Sequence, residues 1–91
     1  MTLKRNTFYR RPDGQEMTSQ EMLSHLLAVG GLDSEEAAQI ARCAVSTIET
    51  YRKPSARRPV PPSILRPLER HVLDRLTSIA AAAGYDLKPA A

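Results

Sequence analysis

At 91 residues, with a net charge of +3, one cysteine and no tryptophan, the chain has room for one domain and a modest core. Area scaling for this mass leaves about 5,300 Å² exposed out of roughly 14,600 Å² for the open chain. Cys43 alone excludes an internal disulfide and a multi-cysteine zinc site, and no apolar run is long enough to span a membrane or form a signal-peptide core.

A reducing, cytoplasmic setting is the expectation from that cysteine usage. One phenylalanine and three tyrosines are too few for a stacking platform that binds single strands. The total charge conceals an uneven distribution. Residues 1–15 hold Lys4, Arg5, Arg10 and Arg11 against Asp13, a balance of +3. Residues 16–50 hold six acids (Glu16, Glu21, Asp33, Glu35, Glu36, Glu49) against Arg42, a balance of −5. Residues 51–70 hold Arg52, Lys53, Arg57, Arg58, Arg66 and Arg70 against Glu69, a balance of +5. Because fields are screened beyond ~8–10 Å, local charge decides polyanion binding, and the last block has the charge of a phosphate-contacting patch.

In chain order, residues 1–15 form a basic N-terminal arm with a weak strand signal at Thr7–Tyr9. Thr18 with Glu21 three residues later is a capping-box pattern. Met22, Leu23, Leu26 and Leu27 then fall on one helical face, and Gly30-Gly31 stops that helix. Asp33 with Glu36 repeats the cap for a second, short helix, whose narrow face is Ala37, Ala38, Ile40 and Ala41. A third helix, from about Val45 to Arg52, presents Ile48 and Tyr51 to the same core, and Pro54 ends it. The segment PSARRPVPP, Pro54–Pro62, has four prolines in nine residues and reads as a stiff extended connection. Ser63 or Arg66 is the expected cap of a last helix over about 64–83, with Pro67 in its first turn. Its stripe of Leu65, Leu68, Val72, Leu76, Ile79 and Ala83, widened by Leu73 and Ala80, serves as core, as dimer interface, or as both. Gly84 closes it. The fold class is therefore all-α, a helix-turn-helix bundle of about four helices with a long C-terminal helix, with residues 16–91 as the domain that follows the arm.

Two short helices joined by a tight turn, the second running into basic sequence, form the arrangement that places a helix in a DNA groove. Such a pair needs a small residue at the crossing, here Ala38, and a turn residue that closes the first helix, here Arg42. Ala37, Ala41, Cys43, Ile48 and Tyr51 occupy its buried places. Cys43 is read as a small buried hydrophobe. His25 and His71 have no second ligand at helical spacing, so no metal site is expected. No Ser-His-Asp order, phosphate-cradling glycine loop or apolar carboxylate pair occurs, so neither catalysis nor a cofactor is expected.

The stretch EAAQIARCAVSTIETYRK, Glu36–Lys53, resembles without a gap the helix-turn-helix of small bacterial and phage regulators. The following RRPVPPSILRPLE, Arg57–Glu69, is similar to the segment after that motif in Xre/Cro-like phage regulators and in anti-CRISPR-associated repressors. The resemblance covers roughly residues 18–75 and departs at Arg42, where the family usually has glycine. It implies that Ala44, Val45, Ser46, Thr47, Glu49 and Thr50 form the groove-facing surface of a recognition helix. On chemistry, Ser46 and Thr47 suit phosphates or base edges, Ala44 and Val45 thymine methyls, and Glu49 a cytosine amino group. Arg52, Lys53, Arg57 and Arg58 follow as phosphate or groove contacts. The expectation is a sequence-specific, double-strand DNA-binding regulator, a homodimer that represses its own operon from an inverted-repeat operator. The alternative is a small protein-binding module, antitoxin-like or a phage-encoded inhibitor, acting through a partner protein.

Overall fold

Two capping boxes set the first half of the bundle. The computed structural model describes residues 2–3, 8–86 and 88–89. Helix α1 is Ser19–Gly30; ahead of it the Glu21 N–H donates to Thr18 Oγ1 at 3.2 Å and the Thr18 N–H to Glu21 Oε1 at 3.1 Å. Helix α2 is Ser34–Ala41, with the same reciprocal pair between Asp33 and Glu36. In each case two backbone donors that a helix start leaves unpaired are satisfied. Helix α3 is Val45–Arg52, and its N-cap, Ala44, supplies no side-chain bond. Helix α4 is Pro62–Ala82.

Three helix ends close alike, with a left-handed residue followed by an N–H that reaches back five residues. Leu32 N–H bonds Leu27 O after Gly31, Cys43 N–H bonds Ala38 O after Arg42, and Tyr85 N–H bonds Ala80 O after Gly84. Glycine adopts this conformation freely. Arg42, at φ 56°, is the only non-glycine residue at positive φ among those described, and it pays about 1–2 kcal/mol for its side chain.

The four helices bury one core. Leu23, Leu26 and Leu27 come from α1, Ala37 and Ala38 from α2, Ile48 from α3, and Ile64, Leu65, Leu68 and Val72 from α4. Connections add Tyr9, Leu32 and Val60. Met22, Ile40, Ala41, Cys43 and Tyr51 are half-buried against it. Helix α4 packs on α1 and α2, and α3 on α2 and α1. A parallel pairing of two residues each, β1 (Thr2–Leu3) with β2 (Lys88–Pro89), joins the two ends of the chain. The class is all-α, as the periodicities predict, with a long C-terminal helix.

The last helix differs from expectation in three respects. It starts at Pro62 rather than at Ser63 or Arg66, because proline at the first helical position has its φ preset and needs no N–H there. Pro67 consequently lies inside the helix instead of in its first turn. The ring removes the bond to the carbonyl of Ser63, an exposed residue that water can serve. The apolar stripe also splits. Leu65, Leu68 and Val72 are buried and Leu76 is half-buried, but Ile79 is 57 % exposed and Ala83 is exposed. Beyond Leu76 the helix runs past the core that would have covered it. This contributes to a surface of 6298 Å², larger than the scaling value given above.

Residues 8–16 are folded against the body rather than extended as an arm. Tyr9 is 4 % exposed, and Phe8 and Tyr9 meet the His25 ring edge-on at centroid distances of 4.8 and 6.2 Å. Arg10 and Glu16 form an antiparallel bridge around a turn at Gly14. Arg11 NH1 lies 3.4 Å from Glu21 Oε1, and its NH2 lies 3.2 Å from Asp13 Oδ2. Arg10 NH1 donates to the Gly14 carbonyl at 2.8 Å. Of the arm's four basic residues, two are thus engaged within the chain; Lys4 and Arg5, like Thr7, lie outside the described residues.

Gly30 of α1 faces Val72 of α4: a β-carbon there would stand 2.9 Å from Val72 Cγ2. Gly30→Ala is expected to lower stability by about 1–3 kcal/mol, as overpacking does, read from the urea midpoint. The smaller neighbour in Gly30→Ala/Val72→Ala should recover part of that loss.

The Glu21 carboxyl titrates below its ordinary value of 4.5, chiefly through the Thr18 backbone N–H; burial, the next effect, opposes this, and the Thr18 hydroxyl and Arg11 add smaller lowering effects. A lowered folded value means stability that is present above 4.5 and lost as pH falls through that value. The stability gap between wild type and Glu21→Gln should therefore narrow between about pH 6 and about pH 3, followed by urea titrations across the range.

Candidate nucleic-acid interface

An eight-residue helix is marginal in isolation, and α3 exists because Ile48 is fully buried and Tyr51 half-buried beneath it. That anchoring fixes which residues face outward. Ala44, Val45, Ser46, Glu49, Thr50, Arg52 and Lys53 are exposed, and Thr47 is half-buried. The Thr50 hydroxyl donates to the Ser46 carbonyl at 2.7 Å, so it faces outward as an acceptor.

The proline-rich segment after α3 is held by α1. The Val60 N–H donates to Ser19 Oγ at 2.9 Å, and Gln20 Nε2 donates to the Arg58 carbonyl. The Val60 side chain is itself buried in the core. These ties pin the arm beside α3 with Arg57 and Arg58 exposed. Between arm and helix lies a groove of about 420 Å³, lined by the hydroxyls of Ser46, Thr47 and Thr50 and by Lys53, Arg57 and Arg58. No acidic residue lines it. Among the described residues none of the three cations is in an ion pair.

Six of the ten expected contact residues therefore meet in one concavity. Ala44, Val45 and Glu49 stand exposed outside it. Arg52 turns the other way, its NH1 donating to Ser34 Oγ of α2 at 2.7 Å, and with Arg11 it lines a different groove of about 630 Å³. Ser19 and Gln20, which hold the proline-rich segment beside α3, are the residues of this region that the sequence did not disclose. Beside the cap of α1 they read as ordinary first-turn residues, and their partners lie 41 and 38 residues away.

Chemically the concavity offers guanidinium, ammonium and hydroxyl groups to oxyanions. Cys43 does not extend this repertoire: burial pushes its thiol up, away from the thiolate. Among the described residues no three of His, Cys, Asp and Glu come together to hold a metal ion.

If Ser19 holds the arm as described, Ser19→Ala leaves the Val60 N–H without its acceptor, at a cost of about 1 kcal/mol. Hydrogen exchange at the Val60 amide should quicken much more than exchange at Ile48, and equal acceleration at both would show a global effect instead.

In comparisons with protein families, with characterised proteins and with solved structures, nothing matches this chain.

Proposed function

We propose that the protein is a sequence-specific, double-strand DNA-binding regulator, an autoregulating repressor that binds an inverted-repeat operator as a homodimer. The observation that carries this reading is the acid-free groove lined by Ser46, Thr47 and Thr50 of α3 together with Lys53, Arg57 and Arg58. Cations fixed beside an exposed helix suit a duplex: the arm meets the phosphates while the helix meets base edges. Ser46 and Thr47 bond phosphates or bases, Ala44 and Val45 contact thymine methyls, and Glu49 accepts from a cytosine amino group. Arg52, tied to Ser34, contributes to the field more than to a direct contact. Ile79 in the last turns of α4 and Tyr85 just beyond it, at 57 % and 62 % exposure, are the apolar side chains through which two copies would pair.

The test is a salt-titrated binding series on duplex DNA from immediately upstream of the protein's own coding sequence, against random duplex of equal length. Specific binding that weakens steeply with salt is expected. Arg57→Ala and Arg58→Ala should each reduce the salt slope by about 1, while Ser46→Ala/Thr47→Ala should narrow the gap between specific and random DNA. Equal affinity for both duplexes would sink the proposal.

A further inference from the structure

A second basic groove lies away from the α3 face. It runs between the end of α2 and the first half of α4, holds about 630 Å³, and shares no residue with the groove beside α3. Its apolar part is Ile40 with Pro67, both half-buried. Its cations are Arg42 from the α2 side and Arg66 and Arg70 from α4, all exposed and none in an ion pair among the described residues. Arg66 and Arg70 are four apart and so share a helix face. Asp74 follows one turn later and lines the same groove.

Arg42 is the informative member. Of the three left-handed helix-closing residues it alone carries a side chain, and that side chain lines the groove. Glycine would relieve the strain there and remove the guanidinium. A strained residue whose side chain faces a cleft points to use of that side chain.

We infer that this groove docks an acidic, amphipathic peptide segment of a partner protein. Carboxylates pair with the forked guanidiniums of Arg42, Arg66 and Arg70, a match of geometry as well as charge. An apolar side chain of the same segment covers Ile40 and Pro67. A DNA duplex fits poorly: it presents phosphates on a broad convex surface and meets repulsion from Asp74. A peptide can place an uncharged residue opposite Asp74. None of these residues belongs to α3 or its arm, so the inference stands or falls apart from the DNA-binding reading. It also gives a location to the protein-binding alternative raised by the sequence.

The test is fluorescence anisotropy with a short labelled peptide alternating Glu and Leu, beside a Gln–Leu peptide, an oligoglutamate and a random DNA duplex. The Glu–Leu peptide is expected to bind best, and Arg66→Ala/Arg70→Ala to weaken it about tenfold. Both arginines are exposed and unpaired, so that variant keeps the fold. Arg42→Gly should weaken the peptide while raising the protein's own unfolding midpoint, opposite signs that a purely structural Arg42 does not produce. Arg57→Ala/Arg58→Ala should leave peptide binding unchanged. The inference is overturned if the Gln–Leu peptide or oligoglutamate binds as well, or if the Arg66/Arg70 variant keeps full affinity. It is equally overturned if that variant loses duplex binding as strongly as peptide binding, since phosphate would then be the ligand.

Discussion

The bundle depends on one close crossing, where the absence of a side chain at Gly30 lets Val72 of α4 meet the end of α1. Interiors are packed densely enough that a single extra carbon at such a point must displace something. The crossing sets the position of α4, and the rest follows. With Val72 in place, Leu68 and Leu65 enter the cluster that contains Leu26 and Ile48. Ile48 in turn holds α3 down by its inner face. The exposed groups of α3 are thus arranged from beneath, by the packing of Ile48 in the same core.

Most of the helical half of the fold was legible in residue types. The capping boxes at Thr18–Glu21 and Asp33–Glu36 are short-range devices complete within four residues, so sequence spacing alone reveals them. The left-handed turn at Arg42 was expected at its position even without glycine. What stayed hidden depends on distant partners. Tyr9 looks like part of a basic tail until the pocket beside His25 is known. Ile79 continues a flawless apolar spacing, yet spacing cannot say where the neighbouring helices stop. The cap of α4 was expected at Ser63 or Arg66, whereas Pro61 caps it and the preset φ of Pro62 starts the helix earlier. In the candidate site, the expected contact residues of α3 followed from the resemblance and those of the proline-rich segment from their charge. Their division between grooves, with Arg52 drawn aside by Ser34, did not.

The structure also changes the meaning of the charge blocks. The acidic stretch is not a single repulsive surface facing the cations. Glu21, Asp33 and Glu36 are placed at helix starts, where backbone N–H groups receive them and the helix dipole favours them. Two of the basic residues ahead of them are likewise engaged within the chain. Six of the other cations line two separate concavities, Lys53, Arg57 and Arg58 beside the hydroxyl residues of α3 and Arg42, Arg66 and Arg70 beside an apolar floor. A modest net charge therefore coexists with two locally positive grooves of different chemical character.

The anchoring of Val60 has a consequence for the energetics of recognition. Basic segments that flank folded domains commonly become ordered only when they meet a polyanion, and the lost chain freedom is subtracted from their affinity. Here four prolines restrict the segment, a buried valine fastens it, and two hydrogen bonds hold its path. Its backbone is ordered during folding, so in the proposed complex with DNA the segment would not need to order on contact, and the entropy cost of association would be smaller for it.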